Sequence, residues 1–206
     1  MTKKGDKEEL VKEEGFTYED YARLPEDGPR YELADGKLEL MSPAPSPEHQ
    51  RIGVRLLFLL QFYCGNEFIL LNAPIDVILA PKEVRQPDLL MVHKSREDII
   101  TPRGVEGPPD LVIEILSPGT ALKDRFVKSE VYARFGVKEY WLVDIYHRTL
   151  EQYLLEEGSS AYRFHRAFGE EDDVDSPTVS CVHFLLKNIF SKGNPLSPND
   201  RKSDSI

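Results

Sequence analysis

Cysteine is scarce in this chain: Cys64 and Cys181 are the only two in 206 residues. Their positions fit no metal-ligand spacing and give no disulfide framework, so a reducing, cytoplasmic setting is the expectation. Long apolar runs are missing as well. The most apolar stretch, RLLFLLQFYC, is too short to span a bilayer and lies well inside the chain, so no membrane association is expected. The opening MTKKGDKEEL has no apolar segment and does not read as a secretory signal. Positive charge is in deficit, with 26 Lys and Arg against 36 Asp and Glu, a net charge of −10. That argues against a broad nucleic-acid-binding surface, because phosphate neutralisation ordinarily takes clustered Lys and Arg. It leaves room for a site that meets phosphate through a bound metal ion. Neither an internal repeat nor a domain linker is present.

The remaining composition, 40% hydrophobic and 30% charged, suits one globular domain with a sizeable core. Residues 1–14 and 191–206 are polar and read as disordered tails, leaving a single domain over 15–190. TYEDYARLP opens with Thr17 and has Asp20 three residues on, a capping-box pattern for a short helix ending near Pro25. In RYELADGKLELMS, Asp35-Gly36 lies between two alternating runs and signals an N-terminal hairpin. A proline-rich loop, PAPSPEH, leads into a helix from Pro47 to Cys64, with Gly65-Asn66 as its stop. FILLNAPIDVIL gives one or two strands interrupted at Pro74, and RQPDLLMVHK another, opened by Asp88. SREDIITPRGVEGPP reads as a polar loop with a helical turn. DLVIEIL is a strand. ALKDRFVKSEVYARFG, with apolar residues at 122, 126, 127, 131 and 135, is a helix capped by Gly136. EYWLVDIY and TLEQYLLEE form a hairpin around His147-Arg148, AYRFHRAF extends it into a C-terminal meander, and HFLLKNIF is a short closing helix. DLVIEIL and EYWLVDI, separated by one helix, form a crossover unit in a mixed sheet. The fold class is α/β: a central mixed β-sheet flanked by helices.

One residue breaks the apolar strand at its middle. Glu114 shares a face with Val112 and Leu116. An unpaired ionised carboxylate there costs several kcal/mol, so Glu114 must be neutral, paired with a cation or bound to a metal. Asp88 heads the preceding strand. If the two strands are neighbours, two carboxylates converge, which is unstable without a cation between them. Magnesium meets that need, taking carboxylate oxygens and keeping waters for substrate phosphate. Lys128 follows on the next helix, on roughly the same face as Asp124 four residues earlier. Lys123 and Arg125 fall on other faces. The bland alternative is an acidic strand residue held in a structural ion pair. His49, beside the proline-rich loop, is a weaker candidate for contacting phosphate. His93, His147, His165 and His183 show no ligand spacing. Trp141 and Tyr140 read as sheet core, Tyr132 as the packed face of its helix, and Lys138 and Glu139 as a solvated turn.

Four blocks in order, YELADGKLELMSPAPSPEHQRI, RQPDLLMV, PPDLVIEILSPGT and DRFVKSEVYARFGVKEYWLVD, resemble the Uma-two family of the PD-(D/E)XK nuclease superfamily. The resemblance covers roughly residues 16–190. It implies a restriction-endonuclease-like fold, a DNA endonuclease using Mg2+ or Mn2+, and a homodimer as one arrangement for cutting both strands. Asp88 matches the motif aspartate and Glu114 the motif glutamate, the two implied metal ligands. The superfamily's usual lysine position, two residues after that glutamate, holds Leu116. The Uma-two pattern moves the lysine to the following helix, which points to Lys128. Glu32, in YEL, matches an additional acidic residue. The first rival reading is a binding or regulatory protein that keeps the fold without activity, favoured by the net acidity and Leu116. A carboxylate-pair glycosidase is the second, disfavoured because Lys128 has no role in it.

Overall fold

The computed structural model describes residues 15–25, 27–191, 193 and 196. The tails expected at 1–14 and 191–206 lie outside the described residues, apart from Ser191, Gly193 and Leu196. Those three are engaged: Arg55 donates to the Ser191 hydroxyl and the Gly193 carbonyl, and Leu196 packs against the core.

The N-terminal helix α1 (Tyr18–Tyr21) begins as its capping box requires, with Thr17 and Asp20 each accepting from the other's backbone N–H. Strands β1 (Tyr31–Ala34) and β2 (Lys37–Leu40) form the hairpin. Asp35 and Gly36 turn it with φ of 48° and 77°, the left-handed pair that a two-residue hairpin demands. Helix α2 (Pro47–Cys64) is capped by Ser46, whose hydroxyl accepts from His49 N, and carries proline in its first turn, where no N–H is needed. Its buried residues His49, Ile52, Leu56, Leu59, Leu60 and Cys64 recur at helical spacing and form one stripe.

Four strands then precede the loop expected from residue 95: β3 (Phe68–Asn72), β4 (Val77–Ala80), β5 (Glu83–Arg85) and β6 (Leu89–His93). The expected polar loop is more ordered than its sequence suggests. A 3-10 turn at Lys94–Ile99 leads into two short strands, β7 (Ile100–Thr101) and β8 (Gly104–Glu106). Gly104, at φ 137°, lets the chain press against β4: a Cβ there would lie 2.5 Å from the Asp76 carbonyl oxygen.

Strand β9 (Leu111–Leu116) and strand β10 (Glu139–Asp144) run parallel, joined by a break at Ser117-Pro118-Gly119 and a helical crossover. The crossover begins as a π-helical segment, Lys123–Lys128, and continues as α3 (Ser129–Arg134). Strands β11 (Thr149–Leu155) and β12 (Tyr162–Phe168) complete the meander. HFLLKNIF is not one helix. Its first half is β14 (His183–Leu185), paired with β13 (Asp173–Asp175), and only Lys187–Phe190 is helical, as α4. A short apolar run does not distinguish strand from helix by period alone, and the partner strand decides it here.

Among the described residues the strands form two six-stranded sheets and a two-stranded ribbon. One large sheet has the order β12-β11-β10-β9-β6-β3, and the other β2-β1-β5-β4-β8-β7. Alternation along β9 builds two cores. Leu111, Ile113 and Ile115 face α2 and pack with Leu56, Leu59 and Trp141. Val112 and Leu116 face the crossover and pack with Tyr132, Tyr140 and Leu142. Glu114 lies between the last two on that second face.

Two expectations are corrected. Cys64, at the end of α2, is disulfide-bonded to Cys181 in the β13–β14 connection, 117 residues away, with Cα atoms 5.3 Å apart. Spacing carries no information about proximity over such a distance, and with the thiols paired, cysteine usage no longer argues for a reducing compartment. Glu139 is fully buried rather than part of a solvated turn. Its carboxylate accepts from Trp141 Nε1 (2.6 Å), Gln152 Nε2 (2.7 Å), the Ser176 hydroxyl (2.7 Å) and Thr178, so every charge-assisted bond that burial requires is made. Lys138 stays exposed and holds Asp110 at 2.8 Å.

Candidate functional site

Glu114 leaves β9 on the crossover side and is met by two donors at one oxygen. Lys128 Nζ lies 2.9 Å from Oε1 and the Tyr132 hydroxyl 3.2 Å from the same atom. Lys128 Nζ is also 3.4 Å from Glu32 Oε1 and 3.5 Å from Asp124 Oδ1, so three buried carboxylates converge on one ammonium. Glu32 comes from β1. Its Oε1 accepts from Gln86 N (3.0 Å), and its Oε2 takes Lys123 Nζ (2.8 Å) and lies 3.5 Å from Arg85 Nη1. Directly across the hairpin stands Glu39, the register partner of Glu32. Like charges opposite each other repel. Lys123, 2.8 Å from both carboxylates, and Arg85, 3.5 Å from both, bridge them.

Lys123 does not lie on a different helical face from Lys128. In a π segment the backbone bonds skip one more residue than in an α-helix, so side chains five apart come to the same side. Both ammonium groups reach Glu32 for that reason.

Asp88 sits one residue beyond the pair Leu89–Ile113, and the antiparallel register brings it abreast of Glu114. Its Oδ2 accepts from Ile115 N (2.8 Å) and lies 3.2 Å from His49 Nε2. His49 is thus buried and engaged, not a surface histidine. These two residues, with Ile115, line a shallow cleft that continues along Gly53, Val54 and Leu57 of α2. Asp88 is held from the α2 side, whereas Glu114 Oε1 is held from the α3 side. The structure therefore joins Glu32, Glu114 and Lys128 in direct contact and places Asp88 and His49 as a neighbouring pair.

Charge links the two halves. Burial drives the Glu114 carboxyl well above the usual carboxylate range, the nearby Asp124 and Asp88 charges add to that, and Lys128 opposes it. Asp124 is raised in the same way, by burial and by the Asp88 and Glu32 charges. Burial also works against Glu32, yet Lys128, Lys123 and Arg85 together hold it down at about 2. Burial disfavours the Lys128 ammonium, but Glu114, Glu32 and Asp124 outweigh it and keep the group charged far into the alkaline range. For His49 burial is outweighed by the Asp88 hydrogen bond and charge, and the imidazole is raised above its ordinary value.

With this geometry in hand, comparison with known proteins decides the family. The Uma2 description, "Putative restriction endonuclease", matches residues 18–182. The chain belongs to the Uma2 family. Among solved structures, a protein described as a putative nuclease belonging to DUF820, from Anabaena variabilis ATCC 29413, aligns with a TM-score of 0.69. It shares 21% identity over 85% of this chain and 97% of that one, a likeness that establishes the mixed α/β fold. No curated protein sequence matches this chain.

The donors of this Uma2 chain suit a hard cation. Asp88, Glu114 and Asp124 offer carboxylate oxygens, and Asp124 Oδ1, buried without a hydrogen bond, has only the Lys128 ammonium at 3.5 Å as its charge partner. Among the described residues no three His, Cys, Asp or Glu side chains stand grouped as a ready cage. Magnesium needs none, since one or two carboxylates suffice when waters and substrate phosphate complete its shell. Leu116, at the superfamily's lysine position, is 3% exposed and belongs to the apolar cluster with Val112 and Tyr132.

Asp124, Tyr132, Lys123, Glu39 and Arg85 escaped the sequence reading as members of the cluster. For Glu39 a signal existed: a two-residue Asp35-Gly36 turn pairs 34 with 37, and hence 32 with 39. Asp124 had its i, i+4 spacing to Lys128, which pairs the two without revealing their burial, and Tyr132 carried no signal, because both are buried only by the crossover packing back over β9.

Proposed function

We propose that this chain hydrolyses phosphodiester bonds in DNA as a Mg2+- or Mn2+-dependent endonuclease. The observation that supports the reading is a cluster of buried carboxylates around the buried Lys128 at the C-terminal half of β9, beside a cleft that Asp88 and His49 line. Asp88 and Glu114 would hold the ion, whose contribution when bound is to polarise the scissile phosphate and activate a water. The remaining work falls to the chain's own side chains. Lys128 stays an ammonium, so it donates to the attacking water or to a phosphate oxygen and does not take a proton. Glu32, anionic at all working pH, anchors that ammonium. His49, when protonated, offers a phosphate a second cation from the α2 side of the cleft. The net charge of −10 argues against a broad basic surface for duplex DNA, so the ion and these few cations carry phosphate recognition.

The test is cleavage of plasmid and single-stranded DNA with Mg2+ or Mn2+, for the wild type, Glu114→Gln and Lys128→Ala. Loss in both variants, with ion affinity lost in the first and kept in the second, is the expected pattern. Full activity in Lys128→Ala would remove that residue from the chemistry. One observation favours a second reading, a binding protein that keeps the fold without turnover: Lys128 already neutralises Glu114 at 2.9 Å. Calorimetric titration with Mn2+ separates them, since the second reading expects no ion uptake at millimolar concentration.

A further inference from the structure

We infer that Tyr132 is a positioning residue, whose hydroxyl fixes Oε1 of Glu114 and so presents Oε2 to the ion. The inference rests on the metal-dependent reading above and goes beyond the residues it uses.

The two oxygens of Glu114 are treated differently. Oε1 accepts both the Lys128 ammonium at 2.9 Å and the Tyr132 hydroxyl at 3.2 Å. Oε2 accepts no hydrogen bond among the described residues. It is not sealed in either: the buried side-chain atoms without partners are Arg85 Nη1, Asp124 Oδ1 and Gln152 Oε1. Oε2 therefore keeps contact with solvent although Glu114 as a whole is only 3% exposed. A carboxylate pinned at one oxygen and open at the other is arranged as a one-oxygen ligand.

The two pins are not equivalent. Lys128 has two other carboxylates within 3.5 Å and a flexible four-carbon stem, so it restrains Glu114 weakly in direction. Tyr132 is rigid. Its ring is fully buried and packs against Tyr140 with centroids 5.5 Å apart. Among the described residues its hydroxyl has Glu114 alone as partner. It has no other acceptor to turn to, so the fixed ring holds Oε1 of Glu114 in one place. Partners of this kind, one bond behind a ligand, commonly change metal affinity by about 10–100-fold when removed.

The test compares Tyr132→Phe with Tyr162→Phe in the full chain. Tyr162 is the control: its half-buried phenol donates to the Val137 carbonyl (2.8 Å) and does not touch Glu114. Mn2+ and Mg2+ are titrated calorimetrically and far-ultraviolet circular dichroism monitors the fold. The expected result is about tenfold weaker ion binding in Tyr132→Phe and no change in Tyr162→Phe. On DNA, Tyr132→Phe should lower kcat and leave KM unchanged. In a Glu114→Gln background the same substitution should leave any residual ion affinity unaltered. Wild-type-like ion affinity in folded Tyr132→Phe, or an equal loss in Tyr162→Phe, overturns the assignment while the metal reading stands. No ion uptake by the wild type overturns both. If Tyr132→Phe fails to fold in plain buffer, the titration is made in trimethylamine N-oxide, which favours the compact state, and read in the same way.

Discussion

Replacing Lys128 by Met tests how the buried charges hold one another. The thioether chain follows the aliphatic stem of lysine, so little volume is lost and the change is chiefly electrostatic. Three carboxylates lose a partner, but unequally. Glu32 keeps Lys123 at 2.8 Å and Arg85 at 3.5 Å, and Asp124 keeps the Thr120 hydroxyl. Glu114 is left with Tyr132, a neutral donor. The cost is therefore that of one stranded buried charge, about 3–5 kcal/mol, and not three times that. Against a total stability of about 5–15 kcal/mol this is a large fraction. The pH dependence has a definite sign. The folded-state pKa of Glu114 lies above its unfolded value, so the folded state holds the proton more tightly and stability falls as pH rises from the unfolded towards the folded pKa. Removing Lys128 removes the pull that opposes burial and raises that pKa further, so the variant's deficit grows as pH rises above the wild-type folded pKa and is smaller near pH 5 than near pH 7.5. Urea unfolding at both pH values, followed by circular dichroism, reads it. Glu114→Gln/Lys128→Met, which removes the stranded charge, should regain about 2 kcal/mol of the loss. A single variant within about 1 kcal/mol of wild type near pH 7.5, or a deficit indifferent to pH, would refute the reasoning.

Two further outcomes follow from other groups. The His49 imidazole, followed by NMR, should titrate above its ordinary value in the wild type and below it in Asp88→Asn, where burial remains and the opposing charge is gone; its stabilisation is complete below the unfolded pKa and lost as pH rises through the folded one. Glu139→Ala strands the Trp141, Gln152 and Ser176 donors and should cost about 3 kcal/mol or more in chemical unfolding without changing ion affinity, a joint result that an effect on Mn2+ binding would contradict.

Local chemistry made much of the fold legible. Asp35-Gly36 turned the hairpin, Thr17 and Asp20 capped the first helix, and the apolar runs at 111–116 and 139–144 became the parallel centre of a sheet. The second sheet was not legible, because β5, β7 and β8 are two or three residues long and too short to show a period. The Cys64–Cys181 bond and the burial of Glu139 depend on segments distant in sequence. Within the site, a glutamate inside an apolar strand signalled a cation and one was found beside it, Lys128. What the pattern could not convey was how many carboxylates that cation serves. Asp124 and Lys128 at i and i+4 look the same whether the helix lies in water or folds back over a sheet.

The π turn in the crossover has a consequence for how this site can vary. Its surplus residue is a phase adjuster between two rows of side chains. Phe126, 67% exposed, sits on its outer face and contributes nothing to the cluster. Deleting that one residue would bring Lys123 to four and Asp124 to three residues before Lys128, the spacings at which side chains share a face of an ordinary α-helix, so the segment could rewind with both still turned to the cluster. Wound as an α-helix at its present length, the same segment would instead carry Lys123 about 140° around the axis from Lys128 and off Glu32. The π turn is thus what lets the crossover hold one more residue than an α-helix would and still bring both lysines to the hairpin glutamate.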